Sequence, residues 1–164
     1  MFKNKKCKNI LIFLDIDGVL NTSSSFNTKY ELHSNNLDVL ADLISSGKKQ
    51  CLIGKIVLTS TWRLGYDVDY SKCSPQVQNL IDKLSERGIS VLGKTPLYQD
   101  KTRDAEISRY IREYALSNND FTYVTLDDDM SIYDSSKLQD INFYKVNQKT
   151  GLVKSDIKSI LSIV

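Results

Sequence analysis

Apolar and polar positions along this chain fall into blocks that alternate between two periods. A continuous apolar run through Leu11-Ile12-Phe13-Leu14 reads as a buried strand over Asn9–Leu14. Thr22–His33 is polar, rich in Ser and Asn, and loop-like. Leu37, Leu40, Ala41 and Ile44 then recur at helical spacing, which predicts a helix over Asn36–Ser46 with Gly47 as its C-terminal cap. Lys55–Arg63 is a second β-branched run that ends in hydroxyls and an arginine. After the loop Leu64–Cys73, Ser74-Pro75 opens a helix whose apolar face is Val77, Leu80, Ile81 and Leu84, stopped by Gly88.

The second half repeats the scheme. Ile89–Leu92 is a third strand and Gly93–Lys101 a loop. Thr102–Leu116 is a helix with Ile107, Ile111 and Tyr114 or Ala115 inward. Phe121–Leu126 is a fourth strand running into Asp127-Asp128-Asp129. A helical turn is expected over Ile132–Leu138 and a fifth strand over Asn142–Val146. The last helix aligns Ile157, Ile160, Leu161 and Val164. Strands alternating with helices predict an α/β fold, a central parallel sheet of about five strands with right-handed crossovers and helices on both faces. There is no internal repeat or linker, so one domain over residues 9–164 is expected, preceded by a basic tail, residues 1–8, carrying Lys3, Lys5, Lys6 and Lys8.

Composition adds limits. With 164 residues the chain is long enough for one real core. Hydrophobic residues at 41% and charged residues at 26% are those of an ordinary globular protein, and a net charge of +2 does not by itself argue for nucleic-acid binding. The apolar run after the basic start is short and interrupted by Asp15, so neither a signal peptide nor a membrane span is expected. Cys7, Cys51 and Cys73 are odd in number and lack CxxC spacing, which argues against a disulfide framework or a cysteine zinc site. A reducing, cytoplasmic setting with buried, inert cysteines follows as the expectation.

The chemistry lies at three strand ends. Asp15 and Asp17 follow the first strand, Thr59, Ser60 and Arg63 the second, and Asp127 and Asp128 the fourth. In a parallel sheet these ends share one edge, where open α/β folds bind ligands. Two like charges about 4 Å apart repel by roughly 4 kcal/mol at an effective dielectric of 20. A hard divalent cation relieves that repulsion, and all-oxygen ligands favour Mg²⁺ over zinc. An aspartate is also a competent nucleophile for phosphoryl groups. A second carboxylate two residues on points to the same side of an extended backbone, within reach of the leaving oxygen.

These motifs resemble those of the haloacid-dehalogenase-like (HAD) phosphohydrolases. Asp15-Ile16-Asp17-Gly18-Val19-Leu20 is similar to their first motif, DxDGxL. Leu58-Thr59-Ser60 is similar to the second, and Thr125-Leu126-Asp127-Asp128 to the acidic fourth. The resemblance spans nearly the whole chain. It implies a Rossmann-like domain and a Mg²⁺-dependent phosphomonoesterase working through an aspartyl phosphate. Asp15 would be the nucleophile and Asp17 the acid and base. Asp15, the backbone carbonyl of Asp17 and Asp128 would hold the metal, with Asp127 supporting or substituting, and Thr59 would bind phosphate. The third motif needs a cation, for which Lys94, Lys101 and Arg103 compete. Arg103 is favoured, because a cation in the first turn of a helix opposes the helix dipole unless an anion faces it.

Leu58-Thr59-Ser60-Thr61-Trp62-Arg63, Arg103-Asp104-Ala105-Glu106-Ile107 and Gly151-Leu152 resemble the HAD branch associated with RNA-repair proteins of the Swiss Army Knife type. Thr22–Gly54 and Gly93–Lys101 are too short to hold a large cap domain. The expected partner is therefore a phosphorylated substrate, a nucleotide or a nucleic-acid end, met without a membrane. Trp62, Arg63 and Tyr66 are candidate lining residues, with bases stacking on the aromatics. A protein phosphatase, and a non-catalytic binding module on the same scaffold, stay as alternatives. His33, the single histidine, and Asp129 read as structural or solvent-facing.

Overall fold

In a computed structural model of the chain, residues 7–25, 31–99 and 101–164 are described. The first strand, β1 (Lys8–Leu14), is the centre of a five-stranded, wholly parallel sheet. With β2 (Leu52–Leu58), β3 (Val91–Lys94), β4 (Phe121–Asp127) and β5 (Phe143–Lys145), the order across the sheet is β3-β2-β1-β4-β5. β1 pairs with β2 from Lys8↔Leu52 to Leu14↔Leu58, and with β4 from Asn9↔Phe121 to Leu14↔Leu126. These registers bring the carboxyl ends of β1, β2 and β4 level with one another.

The continuous apolar run in β1 is explained by burial on both faces. Ile10, Ile12 and Leu14 join a core closed by Leu37, Leu40 and Leu43 of α1 (Ser34–Lys49), Val77, Leu80 and Leu84 of α2 (Pro75–Ser85) and Ile160 of α4 (Asp156–Leu161). Leu11 and Phe13 face a second core with Ile107 of α3 (Arg103–Ala115), Tyr133 and Ile141. Helices therefore cover both faces, and among the described residues no inserted cap lies over the sheet edge.

Several boundaries differ from the pattern-based ones. α1 starts at Ser34 and runs through Gly47 to Lys49; the left-handed residue after it is Cys51, at φ 65°. β2 begins at Leu52 because its pairing with β1 starts there, and it stops at Leu58, with Thr61–Gly65 turning into a 3₁₀ helix. β3 lies at Val91–Lys94, two residues beyond its expected place, because a register shift after the Ile56↔Val91 pair sets Gly93 and Lys94 against Val57 and Leu58. The turn expected at Ile132–Leu138 is two 3₁₀ pieces, Met130–Ile132 and Ser135–Ile141. Asn142 is left-handed at φ 47°, so β5 begins one residue later.

The cysteine expectation is corrected. Cys7 and Cys51 form a disulfide, while Cys73 is a buried free thiol. An odd count excludes a fully paired framework but not one bridge, and pairing β1 with β2 brings the two sulfurs together from positions 44 apart in sequence. Of the expected basic tail, Lys3, Lys5 and Lys6 lie outside the described residues, and Lys8 opens β1. Among the described residues no helix is long and apolar enough to cross a membrane.

Candidate active site

The ladder bonds that end the central strands also position the polar residues after them. The Asp15 N–H donates to the Leu126 carbonyl at 3.0 Å, and the Thr59 N–H to the Leu14 carbonyl at 3.1 Å. Asp15 and Thr59 are thereby fixed by backbone on neighbouring strand ends, and Asp127 closes β4 beside them. One carboxylate oxygen from each of Asp15, Asp127 and Asp128 lies within 4.8 Å of the others.

Arg103 is the cation set among them. Its Nη1 donates to Asp15 Oδ1 at 2.9 Å and to Asp127 Oδ2 at 2.8 Å. The same Asp127 oxygen accepts from the Tyr133 hydroxyl at 2.6 Å, and Asp127 Oδ1 accepts from the Asp129 N–H at 2.9 Å. Asp127 is fully buried and engaged by three protein partners. Asp128 packs instead against Gly18. At φ +79° Gly18 occupies the left-handed region, and a β-carbon there would lie 2.5 Å from Asp128 Cγ. The glycine of the first motif thus makes room for the carboxylate of the fourth.

The electrostatics follow from burial of like charges. Burial, then the neighbouring Asp127, raises the Asp15 carboxyl well above the ordinary range, with Arg103 opposing. Burial and Asp127 push Asp128 up to about 6. Burial acts to lower the Arg103 guanidinium, but Asp15 and Asp127 outweigh it and the net direction is upward. Arg103 bridges Asp15 and Asp127, while Asp128 has no ion pair among the described residues, so acidic groups outnumber the cation. An all-oxygen donor set of this kind fits a hard divalent cation.

Asp17, the exposed acid of the pair, lines the cleft with its carboxylate held at both oxygens. Trp62 Nε1–H donates to Oδ2 at 3.0 Å and Asn21 Nδ2 donates to Oδ1 at 3.0 Å. Asn21 also accepts from the Gly18 N–H at 2.8 Å and donates to the Glu31 carbonyl at 3.2 Å. It closes the turn after β1. Further along, the turn ending in Gly151-Leu152 docks on the same segment: Leu152 N–H donates to the Val19 carbonyl, and buried Asn36 donates to the carbonyls of Thr150 and Leu152.

The segment 59–63 holds a second notable feature. Thr59 Oγ1, Arg63 Nε and Arg63 Nη1 are buried without hydrogen-bond partners. Unpaired buried donors and acceptors cost about 1–3 kcal/mol each. Thr59 directly follows β2 and Arg63 lies in the 3₁₀ turn Thr61–Gly65; both are buried and neither lines the cleft. Arg63 is not at the cleft surface; its Nη2 pairs with Glu106 at 2.7 Å, both side chains no more than 5% exposed. Glu106 also accepts from the Tyr98 N–H at 2.9 Å.

Other candidates from the sequence lie elsewhere. Ser60 Oγ caps the 3₁₀ turn, accepting from the Trp62 N–H. Lys94 donates to the carbonyls of Arg63 at 3.2 Å and Tyr66 at 2.7 Å, so its ammonium secures that turn. Lys101 is exposed and does not line the cleft. Trp62, for which both packing and stacking were open, is 5% exposed: its ring is core and its N–H serves Asp17. The cleft, about 680 Å³, is lined by Asp15, Asp17, Arg103, Asp127 and Asp128 on its floor. Thr61, Met130, Ile132, Lys145 and Gln148 line its walls. Of these, Thr61 lies in the Leu58–Arg63 motif, whereas Met130, Ile132, Lys145 and Gln148 fall outside the motifs.

A parallel, uncapped α/β domain with an acidic, cation-braced cleft at the carboxyl edge of its central strands has the architecture of a Rossmann-like phosphohydrolase. The chain belongs to the family described as the HAD domain in Swiss Army Knife RNA repair proteins, whose model matches residues 11–157. No curated protein matched it.

Proposed function

We propose that this protein is a Mg²⁺-dependent phosphomonoesterase that works through a phosphorylated Asp15, acting on a nucleotide or a nucleic-acid end. The observation that carries the proposal is the convergence of Asp15, Asp127, Asp128 and Arg103 within one cleft. Asp15, Asp128 and the Asp17 carbonyl would hold the metal, with Asp127 in support. A bound divalent ion supplies charge neutralisation for the phosphoryl group.

This chain's own residues do the rest. Arg103 occupies Oδ1 of Asp15 and so turns the other oxygen toward the incoming phosphorus. That oxygen bonds to phosphorus as the bond to the leaving oxygen breaks, and Asp17 gives the leaving oxygen its proton. Asp17 then takes a proton from water, whose oxygen attacks the same phosphorus and returns Asp15 as a carboxylate. The buried, partnerless hydroxyl of Thr59 supports its role as a donor to a phosphoryl oxygen. The open cleft supports a bulky substrate. Lys145 and Gln148 offer a cation and an amide to groups beyond the phosphate, and half-exposed Met130 and Ile132 offer apolar contact.

The binding-module alternative drew on the lack of an evident third-motif cation; the Arg103 contacts weaken that ground. The test is phosphate release from p-nitrophenyl phosphate, from 3′- and 5′-phosphorylated oligonucleotides and from phosphopeptides, with and without Mg²⁺. Turnover that needs Mg²⁺, favours the oligonucleotides and disappears in Asp15→Asn is expected. Activity surviving Asp15→Asn sinks the mechanism, and preference for phosphopeptides sinks the substrate assignment.

A further inference from the structure

We infer that Trp62 is a positioning residue for proton transfer: its indole N–H, with the Asn21 amide, clamps the Asp17 carboxylate in the orientation needed to protonate the leaving oxygen. The inference rests on the proposed phosphatase reading of the site. Its basis is geometric. Asp17 is exposed at the cleft, where a lone carboxylate would sample several rotamers. Instead each of its oxygens is bound by a donor from a different segment, Trp62 Nε1 at 3.0 Å and Asn21 Nδ2 at 3.0 Å.

Both donors are themselves held. Trp62 is 5% exposed and Asn21 is 3% exposed. The Trp62 backbone N–H is tied to Ser60 Oγ, and Asn21 Oδ1 to the Gly18 N–H. The clamp therefore joins the turn after β2 to the turn after β1 through the acid that both flank.

The donor chemistry also restricts where a proton can go. An indole N–H donates only, and an amide NH₂ donates only through nitrogen. Neither clamp atom can accept a proton from Asp17. A proton carried by this carboxyl therefore leaves from the lone pairs that face the cleft, toward the leaving oxygen. After transfer Asp17 is a carboxylate and the two donors are unchanged, so proton and charge balance without another group.

The test separates acid-dependent from acid-independent cleavage. p-Nitrophenolate leaves without a proton, whereas an alkoxide does not. kcat/KM, which reports steps up to phosphoenzyme formation, is measured for p-nitrophenyl phosphate and glycerol 2-phosphate. General acid catalysis contributes about 10²–10⁴-fold. Trp62→Phe, which keeps the buried ring, is expected to lower kcat/KM at least about tenfold for the alkyl ester and less than about threefold for the aryl ester. Equal losses on both esters, or none on either, overturn the inference. A wild type that cleaves neither ester and releases no phosphate from 3′- or 5′-phosphorylated oligonucleotides overturns the phosphatase reading instead. Should Trp62→Phe not fold, the single tryptophan gives a second measurement. Its indole ¹H–¹⁵N resonance is expected to move on Asp17→Ala, and an unmoved resonance overturns the clamp.

Discussion

Gly18 and Asp128 are packed so closely that the absence of a side chain at one is a condition for the carboxylate of the other. A β-carbon on Gly18 would meet Asp128 Cγ at 2.5 Å and Oδ2 at 2.6 Å. The backbone there is also left-handed, at φ +79°.

Gly18→Ala is therefore expected to do two things. The left-handed backbone costs about 1–2 kcal/mol for a residue with a β-carbon. Displacement of Asp128 is expected to weaken Mg²⁺ binding about tenfold or more, since one ligand is worth at least that in affinity. Isothermal titration with Mg²⁺ checks the second effect, and unchanged affinity would show that Asp128 is not a ligand.

Asp128 also sets a pH dependence. Its carboxyl is pushed up to about 6 by burial and by Asp127, against an ordinary value of 3.8. Because the folded state holds this proton more tightly than the unfolded chain, its contribution to stability is complete below the ordinary value. That contribution is lost as pH rises through about 6. Asp15, raised in the same direction, adds to the trend. A metal held by Asp128 would compete with its proton, and its affinity would then fall about tenfold per unit of pH below about 6. The rise in melting temperature caused by Mg²⁺ should be larger at pH 7.5 than at pH 5. Asp128→Asn should remove most of the difference; melting curves at the two pH values, with and without Mg²⁺, decide it.

The Arg63–Glu106 pair carries a stability prediction. Removing one partner of a buried ion pair costs about 3–5 kcal/mol. Glu106→Ala leaves Arg63 fully unpaired and strips the Tyr98 N–H of its acceptor. Glu106→Gln keeps one acceptor oxygen, so one of the two donors retains its partner while the other faces the amide NH₂. Urea unfolding should place the alanine variant about 3 kcal/mol or more below wild type and the glutamine variant between them. An alanine variant within 1 kcal/mol of wild type, on the order of a surface change, would contradict the buried assignment.

The Cys7–Cys51 bridge closes a loop with a sequence separation of 44. On the chain-entropy account a loop of this length is worth roughly 4 kcal/mol. Cys51→Ser should shift the urea midpoint down and make it insensitive to reductant, while the wild type should lose stability on addition of dithiothreitol. A wild type indifferent to reductant would mean that the bridge contributes nothing to folding.

Much of the architecture was readable in advance, because it rests on local signals. The doubly buried β1 had to be a continuous apolar run, and α2 announced itself through Ser74-Pro75, whose Ser74 Oγ does accept from the Val77 N–H. Boundaries shifted where pairing overrode local pattern, as at Leu52 and at Val91–Lys94. The three candidate cations could not be ranked by spacing alone, since Lys94, Lys101 and Arg103 all fall between the third strand and the first turn of the following helix. Orientation separates them: one ammonium caps the Arg63 and Tyr66 carbonyls, and one guanidinium meets Asp15 and Asp127.

What the sequence by itself determined is the parallel α/β plan and the acidic strand ends, because side-chain period and strand order follow from short-range pattern and handed connections. What only the tertiary structure decided are the partnerships made across the sheet edge. Trp62 meets Asp17 across 45 positions, Arg63 meets Glu106 across 43, and Cys7 meets Cys51 across 44. Such contacts depend on register and on the direction each side chain takes once the strands are side by side. No local periodicity encodes that, so Trp62 could be read either as packing or as a stacking surface, and proved to be a buried donor to the acid at the cleft.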